Sequence, residues 1–571
     1  MSGNTGTHSG ASAGAASGAR PWTAAYPQGL DWDMAIDAMP LFCLLDDAVG
    51  RCPDHRAVDF LGKTWTYREI GVQVAKAALG LQQLGVSKGV KVGLLLPNCP
   101  YYPVCFFAIL KAGGTVVNYN PLDAEQQLLN QIDDSETDIL MTLDVNPLHR
   151  MGRNLLRRSR LRRLVICSMV EILPFPRNIL FRLFGQQSGA RGEADAAWLS
   201  FNTLIANDGS YRETPCDPQV DFAAIQYTGG TTGTPKGALL THANLHANAL
   251  QISRWFTDAE PGRERVFAVL PLFHAFGMTA IMNLAIALGA ELVMLPRFNV
   301  RSVLRSIERT KPTLFLGVPT IFRAIADYPR VQRYDLRSLK VCVSGGDTLP
   351  PDVQRRFETT TGCSLTEGYG LTECSPVVTC NPFTGTRKRG SVGLPLPRTT
   401  VTVVSLTDRR TPLPLGSYGE ICVSGPQVMT GYWKRQGATM EVLADGLLHT
   451  GDIGYIDQDG YLYVVDRLKD MIITGGSNIY PRAVEEAIRR HPGVADVAVV
   501  GASDAYWGQI VKAHIVKAPD AKLTEAQIRH FLKDKLSRFE IPRRIEFCGR
   551  LPLSPIGKVL KRKLRDEEDQ R

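Results

Sequence analysis

Between Tyr227 and Gly237 the chain reads YTGGTTGTPKG, four glycines and four threonines closed by one cation, Lys236. Gly229, Gly230 and Gly233 permit positive-φ conformations and close backbone approach. Thr228, Thr231, Thr232 and Thr234 add hydroxyl donors. Such a surface suits a polyanion, a phosphate chain above all. The loop of P-loop ATPases requires Gly immediately before the lysine and Ser or Thr immediately after it, whereas Pro235 and Gly237 stand there. The following GALLTH reads as a short strand before ANLHANALQISRWF begins a helix, so the loop does not run straight into its helix. It is a phosphate loop of another kind.

The elements that must hold this loop are α/β in texture. From about Ala57, strand-like runs (VGLLLP, TVVNY, TDILMTL, RLVIC) alternate with helical ones such as REIGVQVAKAALGLQQLG, and a second set (RVFAVLP, ELVMLP, TLFLGVP, LKVCVSGG) follows the loop. This predicts two layers of mixed or largely parallel sheet with helices. After Val392 short strands with turns predict a small β-rich subdomain, with a hairpin turn at Asp459-Gly460. Beyond Lys469 a compact α+β unit follows. The expected division is a disordered tail over 1–26, a large domain over 27–466, a junction at 467–469 and a small domain over 470–571.

At 571 residues the chain is too long for one core. Its net charge of +9 is modest, and no RRM, zinc-finger or basic-zipper pattern accompanies it, so nucleic acid is not an expected partner. Twelve scattered cysteines without a C-x-x-C pair point to reduced thiols and the cytoplasm. The apolar run MTAIMNLAIALGAELVML contains Asn283 and Glu291 and is read as a buried helix entering a strand.

The order YTGGTTGTPKG, GYGLTE, HTGDIG, DRLKD and PLSPIGK, spread over nearly the whole chain, resembles the adenylate-forming superfamily of acyl-CoA synthetases, adenylation domains and firefly-type luciferases. The resemblance implies a large domain followed by a small mobile one. It also implies a two-step reaction: a carboxylate attacks the α-phosphorus of ATP, releasing pyrophosphate, and a thiol then displaces AMP. ATP and CoA are the implied co-substrates and Mg²⁺ the implied cofactor.

Carried over residue by residue, Glu373 of GYGLTE is the metal ligand, Thr372 contacts the α-phosphate, and Tyr369, between Gly368 and Gly370, lies against the adenine. Gly345, Gly346 and Asp347 form the strand end beside it. Asp452 resembles the acceptor for both ribose hydroxyls, with Arg467 as its neighbour. Lys558 of PLSPIGK would bridge carboxylate and α-phosphate during the first step. Lys469 matches the hinge about which the small domain turns, and Gly475 and Gly476 would line the path of the CoA thiol arm. His274 of LPLFHAFGM is read as positioning the acyl carboxylate. His242 and His246 have helical metal spacing, but no third ligand stands near them in sequence.

Two positions depart from the pattern. Asp347 in SGGDTL stands where SGGAPL is common, and Ala483 replaces the glutamate of YPxEVE. LPLFHAFGMT, GYGLTECSPVVTCNP and YYPVCFFAILKAGGTVVNYNPL look most like bacterial long-chain fatty acid CoA ligases. Readings left open are a medium-chain or aryl acid ligase, a fatty acyl-AMP ligase loading a separate carrier protein, and a non-catalytic nucleotide-binding protein. Seven arginines between Arg150 and Arg163, followed by LPFPRNILFRLFG, suit either peripheral contact with an anionic membrane or a solvated helix and packed loop. The oligomeric state stays open, a homodimer included.

Overall fold

The computed structural model describes residues 20–184, 197–228, 235–474, 477–504, 506–553, 559–561 and 563–565. The chain is α/β. Two large sheets with helices build the N-terminal part, a small β-rich unit follows, and a compact α+β unit completes it. The early strand set (Lys91–Leu95, Thr115–Asn118, Thr137–Leu143, Arg163–Cys167) lies in an eight-stranded sheet. The later set (Arg265–Ala268, Glu291–Met294, Leu314–Gly317, Val341–Ser344) lies in a nine-stranded one. Pairing within each set is parallel.

Strands such as Thr137–Leu143 and Leu314–Gly317, predominantly apolar, are buried along most of their length, as parallel strands covered on both faces require. The run 278–294 holds a π-helical stretch Met278–Asn283, a helical turn Leu284–Ala287 and the strand Glu291–Met294. Among the described residues no helix is long and apolar enough to cross a membrane.

The strands on either side of the glycine-rich segment are paired antiparallel. Strand Phe222–Thr228 pairs with Lys236–Thr241, with Tyr227 opposite Gly237 and Thr228 opposite Lys236. A Cβ at Gly237 would lie 2.7 Å from Ile225 Cγ2, so glycine is what lets this strand pass its neighbour. Helix His242–Trp255 starts one residue later because Thr241 and Asn244 form a reciprocal capping box.

The small C-terminal unit has its own hydrophobic core, including Ile472, Val484, Ile488, Val499, Val511, Ile515, Ile528 and Leu532. Its links to the preceding part are polar. The backbone N–H of Arg482 donates to Asp466 Oδ2 at 2.8 Å. Arg565 donates to Asp470 Oδ1 at 2.8 Å and to the Lys469 carbonyl at 3.2 Å.

Candidate functional site

Two polar clusters and one apolar cavity meet around strand Leu365–Gly370 and the turn after it. Gly370 is fixed by sterics: a Cβ there would sit 2.1 Å from the Pro376 carbonyl oxygen. The chain then enters a short 3-10 turn, Thr372–Cys374, that presents Thr372 and Glu373.

In the first cluster, Tyr432 Oη donates to Glu373 Oε1 at 2.7 Å, and Lys236 Nζ lies 5.1 Å from the centre of the Tyr432 ring. Tyr432 arrives on the short strand Gly431–Tyr432, which pairs with the hairpin strand opposite Ala238. The Met429 N–H also donates to the Glu373 carbonyl at 2.8 Å. Burial, reinforced by the Glu373 charge, pushes the Tyr432 phenol well up, so it remains a donor.

In the second cluster, Asp452 and Arg467 stand opposite each other on paired antiparallel strands. Arg467 Nε lies 3.0 Å from Asp452 Oδ1, and Tyr369 Oη donates to Oδ2 at 2.6 Å. Asp452 is almost wholly buried, and its charge holds the Arg467 guanidinium above its ordinary pKa. Burial first, and Asp452 second, keep Tyr369 protonated. Arg467 also feels the charge of Glu373, which links the two clusters.

The stretch of strand Leu447–Ile456 just before Asp452 has a buttress. Glu420, fully buried, accepts from the Gly451 N–H at 3.2 Å, lies 3.0 Å from His449 Nδ1, and pairs with Arg409 through two contacts of 2.8 and 2.9 Å. Burial works against ionisation there, but Arg409 and His449 hold the carboxyl below its usual range.

Gly345, Gly346, Gly368, Tyr369 and Gly370 form one end of an apolar cavity that continues between Ile252, Trp255 and Phe256 of the helix His242–Trp255 and its end, and Phe276, Leu316, Val343 and Val377. Phe256 and Phe383 stack at a centroid distance of 4.4 Å in its wall. His274 precedes this wall, on a segment fixed by buried amides: Asn98 donates to the Leu270 carbonyl at 2.8 Å and accepts from the Leu272 N–H at 2.9 Å. Gln226 donates to the Phe273 carbonyl at 2.9 Å. Burial lowers the His274 pKa and favours the neutral imidazole.

The other expected site residues lie in different settings, Lys469 beside the second cluster. Asp347 is exposed and its carboxylate accepts from the Thr348 N–H at 2.9 Å. His242 is a core residue whose Nδ1 accepts from the Leu41 N–H at 3.1 Å, and burial pushes its pKa down to about 4. Lys469 sits in a short 3-10 turn, Leu468–Asp470, where burial and Arg467 lower its pKa. Gly229, Gly230, Thr231, Thr232, Gly233, Thr234, Gly475, Gly476 and Lys558 lie outside the described residues.

Sequence reasoning missed Tyr432, Glu420 and Glu367. GYW at 431–433 has no local feature that points 59 positions back to Glu373. Glu367 was visible directly before GYG, and burial raises its pKa to about 7 while Oε1 accepts from the Leu349 N–H at 3.0 Å.

Residues 45–433 match the AMP-binding enzyme family and residues 483–558 the AMP-binding enzyme C-terminal domain. The chain belongs to this AMP-binding enzyme family. It is 40% identical over 554 residues to a long-chain-fatty-acid–CoA ligase of Bacillus subtilis, covering 96% of this chain and 98% of the relative. A long-chain-fatty-acid–CoA ligase of Escherichia coli O6:H1 is 36% identical over 558 residues, with the same two shares of 96% and 98%. Among solved structures, ATP-bound MatB from Rhodopseudomonas palustris superposes with a TM-score of 0.82 at 29% identity, covering 93% of this chain and 99% of that one.

Proposed function

We infer that the protein is an AMP-forming long-chain fatty acid–CoA ligase. The fatty acid carboxylate attacks the α-phosphorus of ATP, the bond to pyrophosphate breaks, and an acyl adenylate forms. The CoA thiol then attacks the acyl carbonyl, giving acyl-CoA and AMP. The observation that carries this reading is that Tyr369, which holds Asp452 beside Arg467, also lines the apolar cavity, while Glu373 with Tyr432 and Lys236 follows on the next turn of the same chain segment.

The first step brings one anion onto another, so the site must offset charge. In this reading the loop 228–234 and Lys236 receive the phosphates, and Thr372 contacts the α-phosphate. Asp452, an acceptor only, takes the ribose hydroxyls while Arg467 and Tyr369 fix its orientation. Neutral His274 orients the acyl carboxylate, and Lys558 enters from the small domain to balance the charge of the first step. Glu373 fits Mg²⁺: it is a single hard carboxylate with one oxygen held by Tyr432, and Mg²⁺ takes one or two carboxylates and keeps its waters. When bound, Mg²⁺ supplies neutralisation of the phosphate charge.

The division into a domain over 27–466, a hinge at 467–469 with Lys469 at its centre, and a small domain over 470–571 belongs to the same reading. The small domain turns between the two steps, after which Gly475 and Gly476 line the thiol path. Peripheral contact with an anionic membrane, from which the acid is collected, completes it.

The test is acid-dependent exchange of pyrophosphate into ATP, run over saturated acids from short to long and an aryl acid. Exchange and CoA consumption strongest with long chains are expected. Exchange strongest with the aryl acid would replace the substrate class, and no exchange with any acid would remove the reaction itself. Lys558→Ala is expected to abolish exchange while largely sparing conversion of supplied acyl adenylate to acyl-CoA.

A further inference from the structure

The arginine-rich region from Arg150 to Arg163 is less available than its composition implies. Arg158 pairs with Glu125, and Arg160 and Arg162 both pair with Asp138. The more distinctive surface is the next helix, Arg177–Phe184, in the connection between strands Arg163–Cys167 and Trp198–Ser200. Phe181 packs against the main core. Ile179, Leu180 and Leu183 are 47%, 53% and 67% exposed, and Phe175 just before the helix is 78% exposed.

A helix advances about 100° per residue. On that spacing Ile179, Leu183 and Leu180 fall within an arc of about 100°, and Arg177 and Arg182 lie roughly 110° from its middle, one on each side. Phe181 points away from the arc, onto the body. Both arginines are exposed, Arg177 reaching only the Leu61 carbonyl at 3.4 Å, and neither is in an ion pair among the described residues.

We propose that the helix Arg177–Phe184 is a membrane-docking element. Ile179, Leu180, Leu183 and Phe175 enter the interfacial region of an anionic bilayer, and Arg177 and Arg182 sit at the headgroup phosphates. An exposed apolar arc bounded on both sides by cations that pair with no described acid is complementary to that interface, apolar below and negatively charged at its surface. Three exposed apolar side chains on one arc, with Phe175 beside them, form a patch where scattered single residues would not. The proposal rests on the fatty acid reading above, because a long-chain acid resides in bilayers, but its test needs no substrate.

The experiment is co-flotation of the full chain with vesicles of phosphatidylcholine, with and without phosphatidylglycerol. Binding to the anionic vesicles, weakened by salt, is expected. The uncharged double variant Ile179→Ser/Leu183→Ser should bind about tenfold more weakly or worse, and Arg177→Gln/Arg182→Gln should reduce the salt dependence. Leu122→Ser, which removes another exposed leucine, should bind as the parent does. A cooperative thermal melt with a midpoint close to the parent's confirms that each variant is folded; should the double variant fail that check, Leu180→Ser alone replaces it.

Unchanged binding by the serine variants overturns the proposal. So does the absence of parent binding. A parent dimer that dissociates on the same substitutions without any vesicle binding overturns it too, by assigning the face to a second copy of the chain. Absence of pyrophosphate exchange with intact vesicle binding would instead remove the enzymatic reading and leave the docking element standing.

Discussion

The two ends of the central cleft are built on opposite rules. At the polar end each functional group is held by a residue from a different strand: Glu373 by Tyr432, and Asp452 by both Arg467 and Tyr369. At the apolar end the walls are side chains such as Ile252, Phe256, Val343 and Phe383, on which no polar partner depends. A substitution at the first end leaves a buried partner unpaired, which costs the full desolvation of that partner. One at the second end changes volume. The polar end should therefore respond by losing activity, and the apolar end by changing preference.

The sharpest way to break this contrast is Glu373→Gln, which keeps shape and removes charge. A fall of about 100- to 1000-fold in the rate of pyrophosphate exchange is expected, and a rate near the parent's would take Glu373 out of the chemistry. Asp452→Asn comes next. Loss of a charge-assisted bond to Arg467 predicts a fall of roughly 10- to 100-fold, seen mainly in kcat/KM for ATP; an effect confined to the acid would contradict its placement at the ribose.

Phe383→Ala tests the other end. Removing half of the stacked pair enlarges the cavity, so the ratio of kcat/KM for long over medium chains should rise by about 10-fold, while exchange with the preferred acid persists. A uniform loss across the acid panel would show that the pair supports the fold, not the acyl chain.

The smallest effect concerns Glu367, next to the polar end. Burial raises its pKa to about 7, so the folded chain holds this proton to higher pH than the unfolded chain does. Its contribution is fully present below the ordinary carboxyl range and is lost as pH rises through about 7. Glu367→Gln stays neutral, so the stability of the variant relative to the parent should improve from pH 5 to pH 8 by about 1–3 kcal/mol. Parallel Tm profiles would show that Glu367 ionises normally.

Much of this was legible in the residues, and the remainder shows why some was not. The strand and helix after the glycine- and threonine-rich loop were readable because apolar ALL gives way at Thr241, the helix cap, to a helical run; loop residues 229–234 lie outside the described ones. The resemblance made Asp452 and Arg467 neighbours, but the strand register that sets them opposite each other was not legible. Near the turn Ile456 faces Leu462 and Gly454 faces Val464; one extra residue between there and Asp466 then brings Asp452 opposite Arg467. That bulge has no sequence signature. Tyr432 was hidden for a related reason, since its position depends on a two-residue strand pairing with a segment almost two hundred positions earlier.

The contact of Arg565 with Lys469 and Asp470 has a topological meaning. It brings the far end of the small unit back to where that unit begins, 95 residues earlier. In the two-step reading proposed above, a turn of that unit about residues 467–470 would carry both of these segments together, since each is tied to the other at the pivot.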